Sequence, residues 1–171
     1  MMTRTTMPAP RRKHPADDGG AQEALRLDRQ LCFALYSASR ALTRAYAPLL
    51  QPLGLTYPQY LTLLVLWEED GVPVKRLGER LGLDSATLTP LLKRLEHQGL
   101  VSRRRDSDDE RVLRIHLTDR GRGLRARAQE IPAALACRAG YDPADGAAMA
   151  RLGRLRVELG ALLQRLETPG G

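Results

Sequence analysis

The stretch VPVKRLGERLGLDSATLTPLLKRLEHQGLV, Val72–Val101, decides the fold. Two short runs of helical spacing stand on either side of Gly82–Asp84. Leu77 and Leu81 face inward on the first, and Leu88, Leu91, Leu92 and Leu95 recur at i, i+3, i+4 and i+7 on the second. Two such helices joined by a tight turn read as a helix-turn-helix. Many helical hairpins share that periodicity, so the flanking sequence has to arbitrate. Pro90 lies inside the second run, where a proline removes one backbone donor and crowds the preceding turn. Either the regular helix begins after it or the helix bends there.

On the C-terminal side, LVSRRRDSDDERVLRIHLT predicts a strand from Val101 to Arg105, a polar turn, and a strand from Val112 to Leu117 with Leu113, Ile115 and Leu117 on one face. A β-hairpin directly after a helix-turn-helix is a wing. Thr118 then caps a long helix, kinked near Pro132 and stopped at Gly140. Asp142 as cap and Pro143 at the first helical position open a last helix, striped by Leu152, Leu155, Leu159, Leu162 and Leu166. On the N-terminal side, Leu31, Leu35, Ala38, Leu42, Ala45 and Leu49 form a helical stripe with Asp28 as cap, ending near Leu50 before Pro52 and Gly54. TYPQYLTLLVLWEEDG gives the next helix, with Thr56 at its cap and Pro58 in its first turn.

The expected fold is therefore mostly α: a winged helix-turn-helix core at about residues 56–117, flanked by helices at about 27–51 and 118–167, with a β-hairpin wing. Residues 1–26 read as a flexible tail whose Arg11, Arg12, Lys13 and His14 suit a solvated basic run. The flanking helices carry more apolar surface than a small winged core needs. Both chain ends are accordingly expected to build a helical homodimer interface.

The 171 residues carry a net charge of +7, spread along the chain rather than gathered in one run. That balance points to an anionic partner without choosing between nucleic acid and membrane. Two cysteines are too few for a secreted disulfide scaffold, and no zinc-type cysteine/histidine spacing occurs, so neither metal nor cofactor is expected. There is no apolar leader and no run of about 18 apolar residues, which predicts a cytoplasmic protein with no membrane association.

The second helix of the pair carries groups suited to DNA. Opposite the leucines, the second helix of the pair presents Ser85, Thr87, Thr89, Lys93 and Arg94, with Pro90 and His97 beside them. A helix fits the major groove and offers its N-terminal residues to base edges and phosphates. Alone, this face is equally an ordinary solvated one; the wing tips the balance toward DNA. The acidic wing tip DSDDER is compatible with a polyanion if Asp108 or Glu110 orients Arg111 toward the minor groove.

LTYPQYLTLLVLWEEDGVPVKRLGERLGLDSATLTPLLKRLEHQGLVSRRRDSDDERVLRIHLTDRGR resembles the winged core of the MarR family of bacterial dimeric regulators. LDRQLCFALYSASR together with LDSATLTPLLKRLE resembles, more narrowly, the organic hydroperoxide resistance regulators of that family, in their two-cysteine branch. The resemblance spans roughly Leu25 to Leu166. It implies a non-enzymatic, homodimeric repressor that binds double-stranded DNA at a pseudo-palindromic operator. By position it places Ser85, Thr87 and Thr89 at the start of the recognition helix and Arg111 at the wing contact. Ala86 stands where many relatives have glycine.

The same resemblance gives Cys32 a role. A thiolate, not a thiol, attacks peroxide, so a sensing cysteine needs its anion stabilised against a free value of about 8.5. In the resembled regulators two tyrosine hydroxyls bond the reactive sulfur, and the matching residues are Tyr46 and Tyr57; Tyr36, one turn after Cys32, is a third. Tyr46 lies 14 positions beyond Cys32, about 21 Å along one helix at about 1.5 Å per residue, too far to meet it locally, and a partner subunit could supply it. Each tyrosine taken alone reads equally as core packing. The resemblance further implies that Cys137 resolves the Cys32 sulfenic acid as an intersubunit disulfide, with organic hydroperoxides as oxidants. The alternative is a MarR-family regulator controlled by non-covalent binding of a lipophilic small molecule. A thiol peroxidase would leave the winged core unexplained.

Overall fold

The computed structural model describes residues 23–168. The basic cluster Arg11–His14, and with it residues 1–22 of the expected flexible tail, lies outside the described residues. The described residues divide into two compact units, with the boundary between Ala41 and Leu42.

In the first unit a 3-10 turn, Leu27–Arg29, precedes helix α1, Leu31–Leu50, which continues into the second unit. Asp28 is not its cap, as the sequence suggested. The Arg26 guanidinium holds the Asp28 carboxylate at 3.0 Å and keeps it below the usual carboxylate range. The helix starts three residues later, and the Gln30 side chain ahead of it donates to the carbonyl of Arg26 at 3.2 Å.

The second unit holds the remaining elements: α2 (Tyr57–Glu68), β1 (Val72–Pro73), α3 (Val74–Leu81), α4 (Ser85–His97), β2 (Val101–Arg105), β3 (Leu113–Leu117), α5 (Asp119–Ala128), α6 (Ile131–Arg138) and α7 (Gly146–Glu167). Thr56 and Gln59 close a capping box at the start of α2. Pro90 neither delays nor interrupts α4, which runs unbroken on both sides of it. The hairpin pairs Val101 with Leu117 through Arg105 with Leu113. Its outer partner, β1, was not anticipated; it pairs with β3 through Val72 and Ile115, giving an antiparallel sheet in the order β1-β3-β2.

The core lies where α2, α3 and α4 meet this sheet. Leu63, Leu66, Leu77, Leu88, Leu95, Val72, Val101 and Ile115 are fully enclosed, the arrangement expected when one stripe of each helix and one face of the hairpin are apolar. Thr118 caps α5 by accepting the Gly121 amide. A Cβ on Gly121 would stand 2.1 Å from the Leu100 carbonyl oxygen, so only glycine lets α5 approach the sheet this closely. Trp67 secures the same junction, donating its indole N–H to the Gly121 carbonyl at 2.9 Å.

Two expectations for the C-terminal part are corrected. The long kinked helix is two helices, α5 and α6, broken at Gln129–Glu130, with Pro132 in the first turn of α6, where its missing N–H costs nothing. The last helix is capped by Asp145, which accepts the Ala147 amide. Asp142 instead accepts the Ala144 amide in the preceding turn.

Candidate functional site

Helix α4 owes its exposed face to its buried one. Leu88, Leu91, Leu92 and Leu95 are buried, which turns Ser85, Thr87, Thr89, Lys93, Arg94 and His97 to solvent. Asp84 caps the helix by accepting the Thr87 amide at 2.7 Å, and that bond keeps its carboxyl low and ionised. Glu96, further along, is occupied by Arg103 of β2 at 2.6 Å and is likewise held low. The exposed helix surface is thus hydroxyls first and cations after.

The wing is organised differently from the sequence reading. Asp108 and Glu110 do not hold the Arg111 guanidinium among the described residues. Asp108 accepts the Ser107 hydroxyl at 3.3 Å, and Glu110 contributes only its backbone carbonyl, to Arg105. The organising carboxylate is Asp106. It ion-pairs with Arg114 across the hairpin and accepts the Asp108 amide at 2.8 Å, and these bonds depress its pKa in that order. An aspartate that closes its own turn while neutralised by a cross-strand arginine stiffens the loop better than tip carboxylates without a fixed partner. Arg111 is oriented through its backbone, its amide donating to Asp109 Oδ1 at 3.0 Å, and its side chain is exposed. Arg114 also reaches the Gly71 carbonyl at 3.0 Å, while Asp70 accepts the Leu117 amide at 2.7 Å and the Arg122 guanidinium at 3.2 Å. The base of the wing is thereby tied to α5.

Tyr46 and Tyr57 meet. Their ring centroids are 4.6 Å apart, and Tyr60, which the sequence reading passed over, lies 5.7 Å from Tyr46 and edge-on to Trp67 at 6.4 Å. Burial, reinforced by the neighbouring phenols, pushes Tyr46 up to about 12; burial also raises Tyr57 and Tyr60. All three therefore keep their protons and remain hydroxyl donors. A phenol of this kind can stabilise an incoming anion.

Both thiols are free and exposed, Cys32 in the first turn of α1 in the first unit and Cys137 on α6 in the second. Tyr36 is exposed too; Arg40 donates to its hydroxyl at 2.8 Å and lies over its ring. Among the described residues no three metal-ligating side chains gather, and no helix is long and apolar enough to cross a membrane.

The sequence offered partial signals for what was missed. Tyr60 is one turn after Tyr57 in YPQY, so its position on the same face was readable. Asp106 opens the acidic run but only the strand register shows that it faces Arg114. Gln59 and Gln98, hydrogen-bonded across 39 positions, left no local sign.

Comparison with known proteins agrees with this geometry. The family described as transcriptional regulator SarA/Rot matches residues 44–127. The regulator TtmR of Methylorubrum extorquens is 56% identical over 121 residues, 71% of this chain and 62% of that protein, so less than two thirds of its length is spanned. The organic hydroperoxide resistance transcriptional regulator of Bacillus subtilis is 54% identical over 108 residues, 63% of this chain and 74% of that protein. Among solved structures, AbfR of Staphylococcus epidermidis is 38% identical in its reduced form bound to DNA, with a TM-score of 0.69 over 85% of this chain and 98% of that one. AbfR has also been solved overoxidised on DNA, at a TM-score of 0.66, and with a disulfide formed, at 0.59. These relatives are named as regulators rather than enzymes.

Proposed function

The chain belongs to the MarR family of winged helix-turn-helix transcriptional regulators, among the organic hydroperoxide resistance regulators, and from that premise we propose that it is a homodimeric repressor released from DNA by oxidation of Cys32. The observation that carries the reading is the α4 face. Ser85, Thr87 and Thr89 reach base edges and phosphates in the major groove, Lys93 and Arg94 neutralise backbone phosphates, and Arg111 enters the adjoining minor groove. Two copies related by a twofold axis read two half-sites, which calls for a pseudo-palindromic operator.

Cys32 thiolate attacks one peroxide oxygen of an organic hydroperoxide. The O–O bond breaks, the alcohol leaves, and the sulfur becomes sulfenic acid. The proton-holding phenols Tyr46 and Tyr57 are the groups suited to bond the thiolate beforehand, with Tyr36 as an accessory. Cys137 of the partner subunit then attacks that sulfur, water leaves, and an intersubunit disulfide forms. That AbfR is named on DNA in both reduced and overoxidised forms supports the disulfide, rather than oxidation alone, as the releasing step. A disulfide holds Cα atoms within about 7 Å, so its formation draws α6 toward the partner's α1 and moves the winged cores out of half-site spacing.

The test is a DNA titration before and after an organic hydroperoxide, on wild type, Cys32→Ser and Cys137→Ser, with a non-reducing gel. Wild type should weaken about 100-fold and migrate as a covalent dimer. Cys32→Ser should bind DNA and ignore oxidant, and Cys137→Ser should stay on DNA with no covalent dimer. Release of Cys32→Ser by the hydroperoxide would refute the mechanism and favour control by a non-covalent lipophilic ligand.

A further inference from the structure

Gln59 and Thr62 are the buried polar side chains among the described residues. Thr62 returns its hydroxyl to the Pro58 carbonyl of its own helix at 2.9 Å, whereas Gln59 reaches out of α2. Its Oε1 accepts the Thr56 amide at 2.8 Å, which leaves Nε2 to donate, and it donates to Gln98 Oε1 at 3.1 Å. Gln98 then donates through Nε2 to the Gly54 carbonyl at 3.1 Å. Each carboxamide has one donor end and one acceptor end, so the first bond dictates the sense of the other two.

The ends of this chain matter. Gln98 caps the C-terminus of α4 directly after His97. Gly54, at φ +67°, closes the turn Gln51–Leu53 that joins α1 to α2. Tyr57, half of the phenol pair, is the first residue of the helix that Thr56 caps. Lys93, Arg94 and His97 share a cleft of about 400 Å³ with Gly54, Thr56, Gln59 and Gln98. Apolar packing between α2 and α4 is non-directional and leaves orientation loosely specified, whereas an amide pair with one member buried fixes it, and the buried member is costly to leave unpaired.

We propose that Gln59 and Gln98 are positioning residues of an amide relay that leaves the α1–α2 turn at Thr56, engages the C-cap of the recognition helix at Gln98 and returns to the turn at Gly54, so that rearrangement at Tyr46 and Tyr57 changes the stance of α4. The relay rests on the regulator function proposed above and names the internal route by which oxidation reaches the DNA-binding face.

Near-isosteric substitutions separate orientation from packing. Gln59→Glu still accepts the Thr56 amide but has nothing to donate to Gln98; if Gln98 turns over to satisfy it, an oxygen faces the Gly54 carbonyl instead. Gln98→Glu still accepts from Gln59 and breaks only the last link, to the Gly54 carbonyl, at a half-buried position. In Gln59→Glu/Gln98→Lys the ammonium donates to both neighbours and restores the connection. The measurement is made at pH 8 on a duplex that the wild-type chain selects from a random-sequence pool, before and after cumene hydroperoxide, with the oxidation rate of Cys32 followed by mass spectrometry.

The ratio of oxidised to reduced Kd should fall from about 100 in wild type to below about 10 in Gln59→Glu and Gln98→Glu, and return to within about threefold of wild type in the double variant. Cys32 should oxidise at the same rate throughout. A purely structural role would weaken both redox states together and leave the ratio unchanged. A wild-type ratio kept by Gln98→Glu, or a double variant that fails to recover, overturns the relay alone. A wild-type ratio near 1 overturns the redox reading and the relay with it.

Discussion

Helices α4 and α7 have opposite relations to the second unit. In 13 residues α4 places four leucines in the interior, with Leu95 fully enclosed, whereas α7 runs 22 residues without burying one. Leu155, Leu163 and Leu166 of α7 are 47, 54 and 73% exposed. Most helical stability in proteins comes from packing an apolar face. The recognition helix is therefore complete within one chain, while the terminal helix carries a stripe that a single chain does not cover. Under the proposed function, this contrast fits a division in which the self-sufficient core reads DNA and the terminal helices pair two copies.

The sharpest way to break the contrast is to shorten a leucine on each side of it. Leu95→Ala should cost about 2–5 kcal/mol of stability in a urea melt, while Leu163→Ala should shift the same melt within about 0.5 kcal/mol at concentrations where the chain is monomeric. Equal losses would mean that α7 is already packed. Next in size is the paired change Leu155→Glu/Leu159→Glu. Sedimentation should show monomers with unchanged helical content, and affinity for a two-half-site duplex should fall by about 100-fold as the second contact is lost.

Within the wing, Arg111→Ala should cost about 1–3 kcal/mol of DNA binding and lower the salt dependence by about one counterion. Arg103→Ala should do less, because Glu96 already engages its guanidinium. A reversal of that order would place the minor-groove contact on β2. The smallest effect concerns pH. The folded state holds the Tyr46 proton up to about pH 12, above the ordinary phenol value of about 10, so the contribution is fully present below pH 10 and is lost as pH rises through 12. Tyr46→Phe should flatten that alkaline loss in a melt series and remove the phenolate absorbance step near pH 12.

The core was legible because its signals are periodic. The α4 leucines, the Thr56 cap and the alternation at Leu113, Ile115 and Leu117 each repeat an interval that one helix or strand imposes. The two residues of β1 repeat nothing, and one of them is a proline. The caps at the chain ends were misplaced for two different reasons: Asp28 is captured by Arg26, and Asp145 rather than the neighbouring acid Asp142 meets the amides of α7. At the candidate site, the exposed face of α4 followed from its buried face. The wing did not, since Asp106 and Arg114 find each other only through strand register. The pairing of Tyr46 with Tyr57 entered through family resemblance, and no spacing rule would have produced it.

Trp67 is the only tryptophan in the chain, and it stands between Tyr60 and the backbone of Gly121. Emission excited beyond the absorption band of the five tyrosines consequently originates at one known point, at the seam between the phenol cluster and the helix that leaves the wing. The protein carries its own optical gauge, and a spectrofluorimeter can follow its internal rearrangement in real time without any attached dye.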